Sequence, residues 1–427
     1  MEIWAIIILS VFIATLFVII TEKIDKAIAT ILGAIIVYLT LSTFKGATLD
    51  EILSFIDWPT IIIMFSVIVT GILVNEAGLF QWVAIKLVKL TVGDLVKIFF
   101  SLIMLTIILS SVITILVSAI IIARLTISIT EAIDVDPYPF LLAEAIAVGI
   151  GGATSLVASP NTILVAQFAH LDFTFFLIYT MPISIIAGLC TTFILIKISG
   201  SLGEVSEVRK SVLMEFEEWS VVPDLFLFYA SAIILIAMII GFAIFPAPYV
   251  VAITVAAVFL LIRRKSLSNV AKDVDWSTLF FFMGIFIIVG GVEKTGVLHE
   301  IGYALGTMSK GNVFLPLVLI IWITGISSGF LDGVTIVLTF TPIIAELVKS
   351  GGFQNFFLIF MIALVLSTNF GGSMTPIGTP ASLLIVSLAS ERGIHISFKE
   401  FIKVGVIVVA INLTLATLYA VVLMLIY

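Results

Sequence analysis

Long apolar stretches alternate with short polar segments along the chain, and most of these stretches approach or exceed the roughly 20 residues that cross a membrane. The first stretch follows Glu2 with no basic region ahead of it, so it predicts a retained span and not a cleaved signal peptide. The pattern predicts an all-α polytopic membrane protein. The predicted apolar segments are 3–20, 25–44, 59–75, 95–125, 139–168, 172–196, 225–243, 248–263, 277–292, 312–346, 356–390 and 402–426.

This pattern occurs twice. Ile56–Thr60 reads IDWPT and Val274–Thr278 reads VDWST, 218 residues later, and the pair Ser110-Ser111 returns as Ser327-Ser328. Several matches in the same order at nearly constant spacing indicate a duplication. The predicted domains are a first repeat, 1–198, a cytoplasmic linker, 199–224, and a second repeat, 225–427.

The basic residues decide how the long apolar block of each half crosses the membrane. Only 11% of the residues are charged, so the positions of lysine and arginine carry most of the topological information. If segments 95–125 and 312–346 each enter and return as hairpins, 16 basic residues fall on one side and 4 on the other. If each crosses once, the split is 10 to 10. The positive-inside rule therefore favours re-entrant hairpins.

With hairpins, each half has five transmembrane helices and one re-entrant helical hairpin. Five crossings are an odd number, so the halves enter from opposite sides and form two inverted repeats, an architecture found in many secondary transporters. We expect a plasma-membrane protein with both termini outside.

Two segments interrupt long apolar stretches with glycine, proline and small polar residues. Gly151–Thr162 reads GGATSLVASPNT and Gly371–Ser382 reads GGSMTPIGTPAS. Their alternative explanation is a kink or a close helix contact. Ser159 and Thr379 are good N-caps, and a proline follows each at the first helical position. We therefore expect each segment to unwind at mid-membrane and to restart there as a second helix.

Two helix starts that meet near the membrane centre favour an anion or an oxygen-rich solute. Carbonyl groups of the unwound backbone, together with nearby hydroxyls, can instead hold a small cation. The predicted substrate-binding residues are Gly152, Thr154, Ser159, Asn161, Thr162, Gly372, Thr375, Thr379 and Ser382.

Asp332 is the acid that the sequence places near the membrane centre, at the tip of the second hairpin. An acid at that depth predicts either a proton carrier or a sodium ligand, and its structural alternative is a carboxylate that holds the tip closed. Glu144 is either a second titratable group or an acid that reaches the interface. The predicted ion-coupling residues are Asp332, Ser328, Thr335 and Asn369, and the other hairpin-tip residues are Ser110, Ser111, Thr114 and Ser327.

The hairpin sequence SGFLDGVT, Ser328–Thr335, and both interrupted segments resemble the ion transporter superfamily. The nearest branch holds arsenite permeases, the melanosomal P protein and bacterial sodium/proton antiporters, and citrate and dicarboxylate carriers are more distant. The resemblance implies a site between the hairpin tips and the breaks, and a homodimer with an elevator-like motion. The first tip lacks the acid or amide of its branch, and neither tip has the Ser-Asn-Thr pattern of dicarboxylate carriers. Any coupling ion is therefore expected in one half only.

These features predict a secondary active transporter of a small anion or oxyacid, of arsenite or carboxylate type. We expect coupling to Na⁺ or H⁺, no other cofactor and no resident metal, and the alternative is a sodium/proton antiporter. An enzyme is not expected, since the chain has no phosphate-binding loop and no intramembrane protease motif. A channel stays open, because coupling cannot be read from sequence. Cys190 is the only cysteine, so arsenite would travel as the neutral oxyacid.

The predicted topology can be tested by labelling cysteines in intact cells. In a Cys190→Ala background, Lys210→Cys should resist a membrane-impermeant thiol reagent, because the linker faces the cytoplasm, while Lys45→Cys should react. Labelling of Lys210→Cys from outside would contradict the topology.

Overall fold

The computed structural model describes residues 2–21, 24–200, 215, 217–264, 267–309 and 311–426. Most of the predicted linker, residues 201–214 and 216, lies outside this description.

Polar N-caps begin many helices of the first half. Asp25, Asp57 and Asp94 each accept a hydrogen bond from a backbone N–H of the helix that follows. Each cap satisfies one or two of the donors that a helix start leaves free. The helices are α1 (Ile3–Thr21), α2 (Lys26–Lys45), α3 (Leu49–Leu53), α4 (Trp58–Glu76), α5 (Leu79–Leu90), α6 (Leu95–Val112), α7 (Ile115–Ile133), α8 (Tyr138–Gly152), α9 (Pro160–Ala169), α10 (Phe173–Tyr179) and α11 (Met181–Ser199).

The second half repeats this order, with one long final helix in the place of α10 and α11. Two short 3₁₀ segments, Gln354–Phe356 and Gly372–Met374, flank the helix that precedes the second break. The helices are α12 (Leu225–Ile244), α13 (Pro248–Arg263), α14 (Leu267–Val270), α15 (Trp276–Lys294), α16 (Val297–Met308), α17 (Phe314–Ser328), α18 (Gly333–Gly351), α19 (Phe357–Gly371), α20 (Pro380–Glu391) and α21 (Phe398–Ile426).

The described residues form helices and no strands, so the predicted all-α membrane fold is confirmed. By length and apolar composition, ten helical segments could span a membrane, or eleven if α9 and α10, which meet at 112°, form one bent span. The predicted breaks are present as well. The chain leaves the helical path between α8 and α9 and again between α19 and α20.

Ion pairs group the helix ends into two faces. On the face that we call the linker face, Lys89 lies 2.8 Å from Glu218 and Arg263 lies 2.5 Å from Glu76. A hydrogen bond from Lys89 lowers the pKa of the Glu218 carboxyl from its ordinary value. The opposite face, which we call the terminus face, has these ion pairs: Lys45–Glu2 at 3.0 Å and Lys294–Glu51 at 2.9 Å.

The α6–α7 hairpin starts and ends on the linker face. Helix α6 begins directly after α5, and the last turns of α7 line a crevice of about 230 Å³ together with α5. Lys89 and Ala132 are among the residues on the two walls of that crevice. The pair α6–α7 is thus a helical hairpin with both outer ends on one face, and its re-entrant character stays a prediction.

The α17–α18 hairpin starts and ends on the terminus face. The chain enters α17 after α16, and His299 of α16 lies 3.1 Å from Glu346 near the end of α18. The two hairpins therefore enter from opposite faces. Which face is cytoplasmic stays a prediction.

A glycine contact sets how closely α17 approaches α19. A Cβ added to Gly371 would overlap the backbone of Gly325, which cannot move aside as a flexible side chain can. We expect Gly371→Ala to destabilise the detergent-solubilised protein by about 1–3 kcal/mol, as overpacking does. Thermal unfolding would measure the loss. Gly188→Ala is the control, since its Cβ would meet only the tip of Ile107 at 3.0 Å, and equal stability of both variants would contradict the packing argument.

Candidate functional site

Four helices, α7, α9, α18 and α20, begin around one small interior cavity. The cavity measures about 30 Å³, roughly the share of one water molecule in the liquid. Its apolar wall includes Met64, Ile68 and Phe282. The polar side chains that line it are those of Thr114, Asn161, Thr278, Asp332, Asn369 and Thr379. A cavity surrounded by helix N-termini favours a negative charge or an oxygen-rich solute.

The N-cap side chain of each of these four helices accepts a hydrogen bond from a backbone N–H in the first turn of its own helix. Thr114, Ser159, Asp332 and Thr379 accept hydrogen bonds from backbone N–H groups at 3.4, 3.3, 2.9 and 3.0 Å, respectively. The N-cap roles predicted for Ser159 and Thr379 are thus found in the structure. Each cap satisfies only part of the first turn, so the remaining donors of four helices lie around the cavity.

The first hairpin tip is docked on the break of its own half. Ser155 Oγ donates to the carbonyl of Ser111 at 2.7 Å, and the backbone N–H of Ile115 donates to the carbonyl of Ala158 at 3.1 Å. These bonds join the two stretches in which the helical ladder is interrupted.

The second hairpin tip is held in the same manner. Ser328 Oγ donates to the carbonyl of Thr368 at 2.7 Å, and Thr375 Oγ1 donates to the carbonyl of Gly329 at 2.5 Å. In both halves, hydroxyls satisfy carbonyl groups that cannot face lipid.

Asn369 joins the two halves beside the cavity. Its Oδ1 accepts a hydrogen bond from Ser159 Oγ at 2.8 Å, and its Nδ2 donates to the carbonyl of Val365 at 2.8 Å and to Thr162 Oγ1 at 3.4 Å. A Cβ on Gly152 would come within 2.6 Å of Asn369 Oδ1, so glycine is needed for this approach. The amide therefore links α19 to the first break.

The predicted site residues fall into two groups. Asn161, Thr379, Asp332, Asn369 and Thr114 line the cavity, while Gly152, Ser159 and Thr162 surround the Asn369 amide. The second group lies around the cavity without lining it and mostly supports backbone.

The hydroxyls of the remaining predicted site residues mostly donate to carbonyls. Ser110 and Ser111 donate within α6, Thr154 donates to Gly151 at 2.6 Å, and Ser382 donates to Ala145 at 2.7 Å. Gly372 packs against Thr379, Ser327 accepts at its carbonyl from Leu331, and Ser328 and Thr375 hold the second tip. Thr335 Oγ1 is buried and has no hydrogen-bond partner within the described residues. The roles of all these residues in binding stay predictions.

Asp332 also lines a larger cavity that leads to the linker face. This cavity measures about 460 Å³ and shares Leu116 and Pro380 with the small one. A neighbouring cavity of about 330 Å³ shares Leu116 and Asp275 with it. We call these two larger cavities the vestibule. Its charged lining residues are Asp25, Lys26, Glu76, Arg124, Asp273, Asp275 and Asp332.

The terminus face has its own cavity of about 440 Å³, lined in part by Phe55, Phe168 and Lys294. Among the residues that the structure describes, it shares no lining residue with the small cavity. The site thus adjoins the vestibule on the linker face and shares no described lining residue with the cavity of the terminus face.

Asp25 lies at the wall of the vestibule, where it caps α2. Burial opposes its ionisation, but hydrogen bonds from Ser277 and from the N–H groups of Ile28 and Ala27 outweigh this effect, so the pKa of the carboxyl is below its ordinary value. Asp25 therefore keeps its negative charge at neutral pH and contributes to an acidic vestibule.

Glu144 is a buried acid for which the sequence left two alternatives open, a second titratable group or an acid that reaches the interface. Its side chain is 0% exposed in α8, so the interfacial alternative was wrong. Thr126 Oγ1 donates to Glu144 Oε1 at 2.5 Å, and Oε2 has no hydrogen-bond partner in the described part of the chain. The sequence feature that could have indicated burial is the position of Glu144, six residues inside an apolar helix. A glutamate at that position reaches the interface only if no other helix covers its side of α8.

Broken helices and hairpin tips that meet at an internal polar cavity are typical of secondary membrane transporters. The chain belongs to the citrate transporter (CitMHS) family, whose model matches residues 16–359 and 307–427.

Several named proteins are similar over nearly all of this chain. A 46 kDa membrane protein of Mycobacterium leprae is 31% identical over 97% of this chain and 98% of its own length. An uncharacterized transporter of Synechocystis is 26% identical over 96% of each chain. The mouse P protein is 22% identical over 94% of this chain and 58% of its own length. The resemblance drawn from the hairpin and the breaks is therefore confirmed at the level of the superfamily.

The two restarting helices differ in what their N-caps hold. Ser159→Ala removes a cap and also leaves the buried Oδ1 of Asn369 without its serine donor, whereas Thr379→Ala removes a cap while Ser382 keeps its bond to Ala145. A lost cap costs about 0.5–2 kcal/mol, and an unpaired buried acceptor adds about 1–3 kcal/mol. Ser159→Ala should therefore lower the melting temperature more than Thr379→Ala, and the reverse order would contradict the link through Asn369.

Proposed function

We propose that the protein is a secondary active transporter of a small anion or oxyacid, coupled to protons or sodium, that works by alternating access. The observation that carries this proposal is the convergence of four helix N-termini on a cavity whose described lining has one carboxyl group, Asp332, and no lysine, arginine or histidine. Donors and dipoles there favour negative charge without fixing a cation in place.

Asp332 supplies the coupling in this account. A bound anion and an ionised Asp332 would share one small cavity, and two like charges 4 Å apart repel by about 4 kcal/mol at an effective dielectric constant of 20. That energy corresponds to roughly a thousandfold in affinity. The anion therefore binds well only when Asp332 is protonated, so solute and proton cross together. A sodium ion at the carboxylate would relieve the same repulsion.

The cavity limits the solutes that bind without rearrangement. At about 30 Å³ it holds an ion or a water molecule, so citrate, the solute in the family name, requires the site to open further. A small carboxylate or a neutral oxyacid such as arsenite requires less opening. We therefore include citrate, a small dicarboxylate and arsenite among the solutes to be tested.

The direction of opening supports alternating access. Hairpins that enter from opposite faces are what inverted repeats require, and the vestibule opens on the linker face alone. Because most basic residues lie on the linker side, we take that side as cytoplasmic, with both termini outside a plasma membrane. The structure is then an inward-open state. The homodimer stays an expectation from family resemblance.

A sodium/proton antiporter is the second candidate, and the vestibule favours it. Asp25, Glu76, Asp273 and Asp275 face Lys26 and Arg124 across the vestibule, so acids outnumber bases on the path to Asp332. Such a path attracts cations more than anions. In this case Asp332 exchanges sodium for a proton.

One transport experiment separates the two candidates. Purified protein in proteoliposomes carries a pH-sensitive dye in the lumen, and sodium, citrate, succinate or arsenite is added in turn. We expect no proton movement with sodium alone. We expect proton movement with citrate, succinate or arsenite, and its loss in Asp332→Asn. Asp50→Asn, an exposed acid on the terminus face, is the matched control and should behave as the wild type.

The other results decide against the leading proposal. Proton movement on sodium addition alone, lost in Asp332→Asn, would establish the antiporter. Unchanged solute-driven proton movement in Asp332→Asn would remove Asp332 from the coupling step.

A further inference from the structure

We propose that Glu144 is a second proton-carrying site, separate from Asp332, and that it is positioned by Thr126. This inference rests on the proposed function, since it assigns a second proton to the same transport cycle. It concerns a region about 12 Å along α8 from the break, given 1.5 Å of rise per residue.

Glu144 is enclosed by the first hairpin. Its carboxyl meets Thr126 of α7, and α6 runs alongside α8, with the rings of Phe99 and Phe140 5.2 Å apart. Further along the same pair of helices, a Cβ on Gly151 would overlap Ser110. The Glu144 carboxyl thus lies where α8 packs against both arms of the hairpin, on the linker-face side of the break.

No charged group that the structure describes faces this carboxyl. The elements packed against α8 are α6, α7, α11, α19, α20 and the 3₁₀ segment Gly372–Met374. Helix α19 and the 3₁₀ segment carry no ionisable side chain. The charged residues on the other elements, all of them exposed, are Lys97, Arg124, Glu131, Lys197 and Glu391. An ionised carboxylate without a partner is very costly at this depth, so Glu144 is neutral in the observed state.

The contacts of Glu144 are few for a structural acid. Buried polar atoms in proteins are nearly always hydrogen-bonded, yet Glu144 Oε2 has no partner within the described residues. A carboxyl that served only to join two helices would gain stability from a second bond, or from replacement by an apolar side chain. The single bond to Thr126 instead fixes the position of the group and leaves one oxygen available.

The vestibule lies on the other side of α7 from Glu144. The opposite side of α7 lines the vestibule through Ile120, Ile121 and Arg124. A local separation of the lower turns of α7 from α8 during the transport cycle, with the tip still bound to the break, would open the carboxyl to the vestibule. Glu144 would then release its proton to the vestibule, and it would regain one from the opposite face when the site opens there.

Glu144→Gln tests this role because glutamine has the same shape and cannot ionise. A carrier with a permanently neutral group at this site should still exchange labelled for unlabelled solute, while net uptake driven by a pH gradient is lost. Labelled citrate, succinate and arsenite are the probes, in proteoliposomes. Glu131→Gln, an exposed acid near the end of α7, is the control and should keep both activities. Full pH-driven net uptake in Glu144→Gln would overturn the proposal.

Infrared spectroscopy provides a readout that needs no transported solute. At neutral pH the wild-type spectrum should contain a protonated-carboxyl band that is absent from Glu144→Gln and present in Glu131→Gln. Absence of that difference would show that Glu144 is ionised and overturn the proposal, even if none of the probes is transported. If the band is present and no probe is transported, the proposed function fails while the protonation state of Glu144 stands. Glu144→Asp keeps an ionisable group and should retain net uptake. It replaces Glu144→Gln as the test variant if Glu144→Gln folds poorly.

Discussion

The need to satisfy every backbone polar group within the membrane governs this structure. Two long helices are broken near their middle, which frees N–H and carbonyl groups that lipid cannot hydrogen-bond, at several kcal/mol for each unsatisfied group. The hairpin tips meet this need. Ser155 and Ile115 join the first tip to its break, and Thr375 and Ser328 do the same in the second half. The breaks and the hairpins are therefore one structural unit in each half, and neither could exist in lipid without the other.

The same arrangement creates the chemistry of the site. Because both helices restart and both hairpins turn at the same depth, four helix N-termini surround one cavity, and Asp332 is the only acid in its described lining. Asn369 holds the halves together beside it through Ser159. In our proposal the donors attract an oxygen-rich solute and Asp332 makes its binding depend on a proton. Glu144 lies outside this cavity, against α7 of the first hairpin.

Much of this fold could be predicted from the chain because its signals are local or additive. Serine or threonine before proline marks the restart of α9 and α20, and the count of basic residues on each side distinguishes hairpins from single crossings. The hydrogen-bond partner of a buried side chain, in contrast, depends on segments that are distant in the sequence. Thr375 and Ser382 were expected to bind substrate, and the structure shows them donating to the carbonyls of Gly329 and Ala145, which only the tertiary fold brings near them. The sequence could not decide between the two alternatives for Glu144 for the same reason, since its burial depends on which helices cover that face of α8.

The central claim is that a bound solute and the proton on Asp332 occupy the site together. Calorimetric titration of the purified protein with citrate or succinate, in buffers of different ionisation enthalpy, measures the protons taken up on binding. We predict net proton uptake by the wild type, affinity that strengthens as the pH falls, and no uptake by Asp332→Asn. Solute binding with no proton uptake by the wild type, or with the same uptake by Asp332→Asn, would contradict the account.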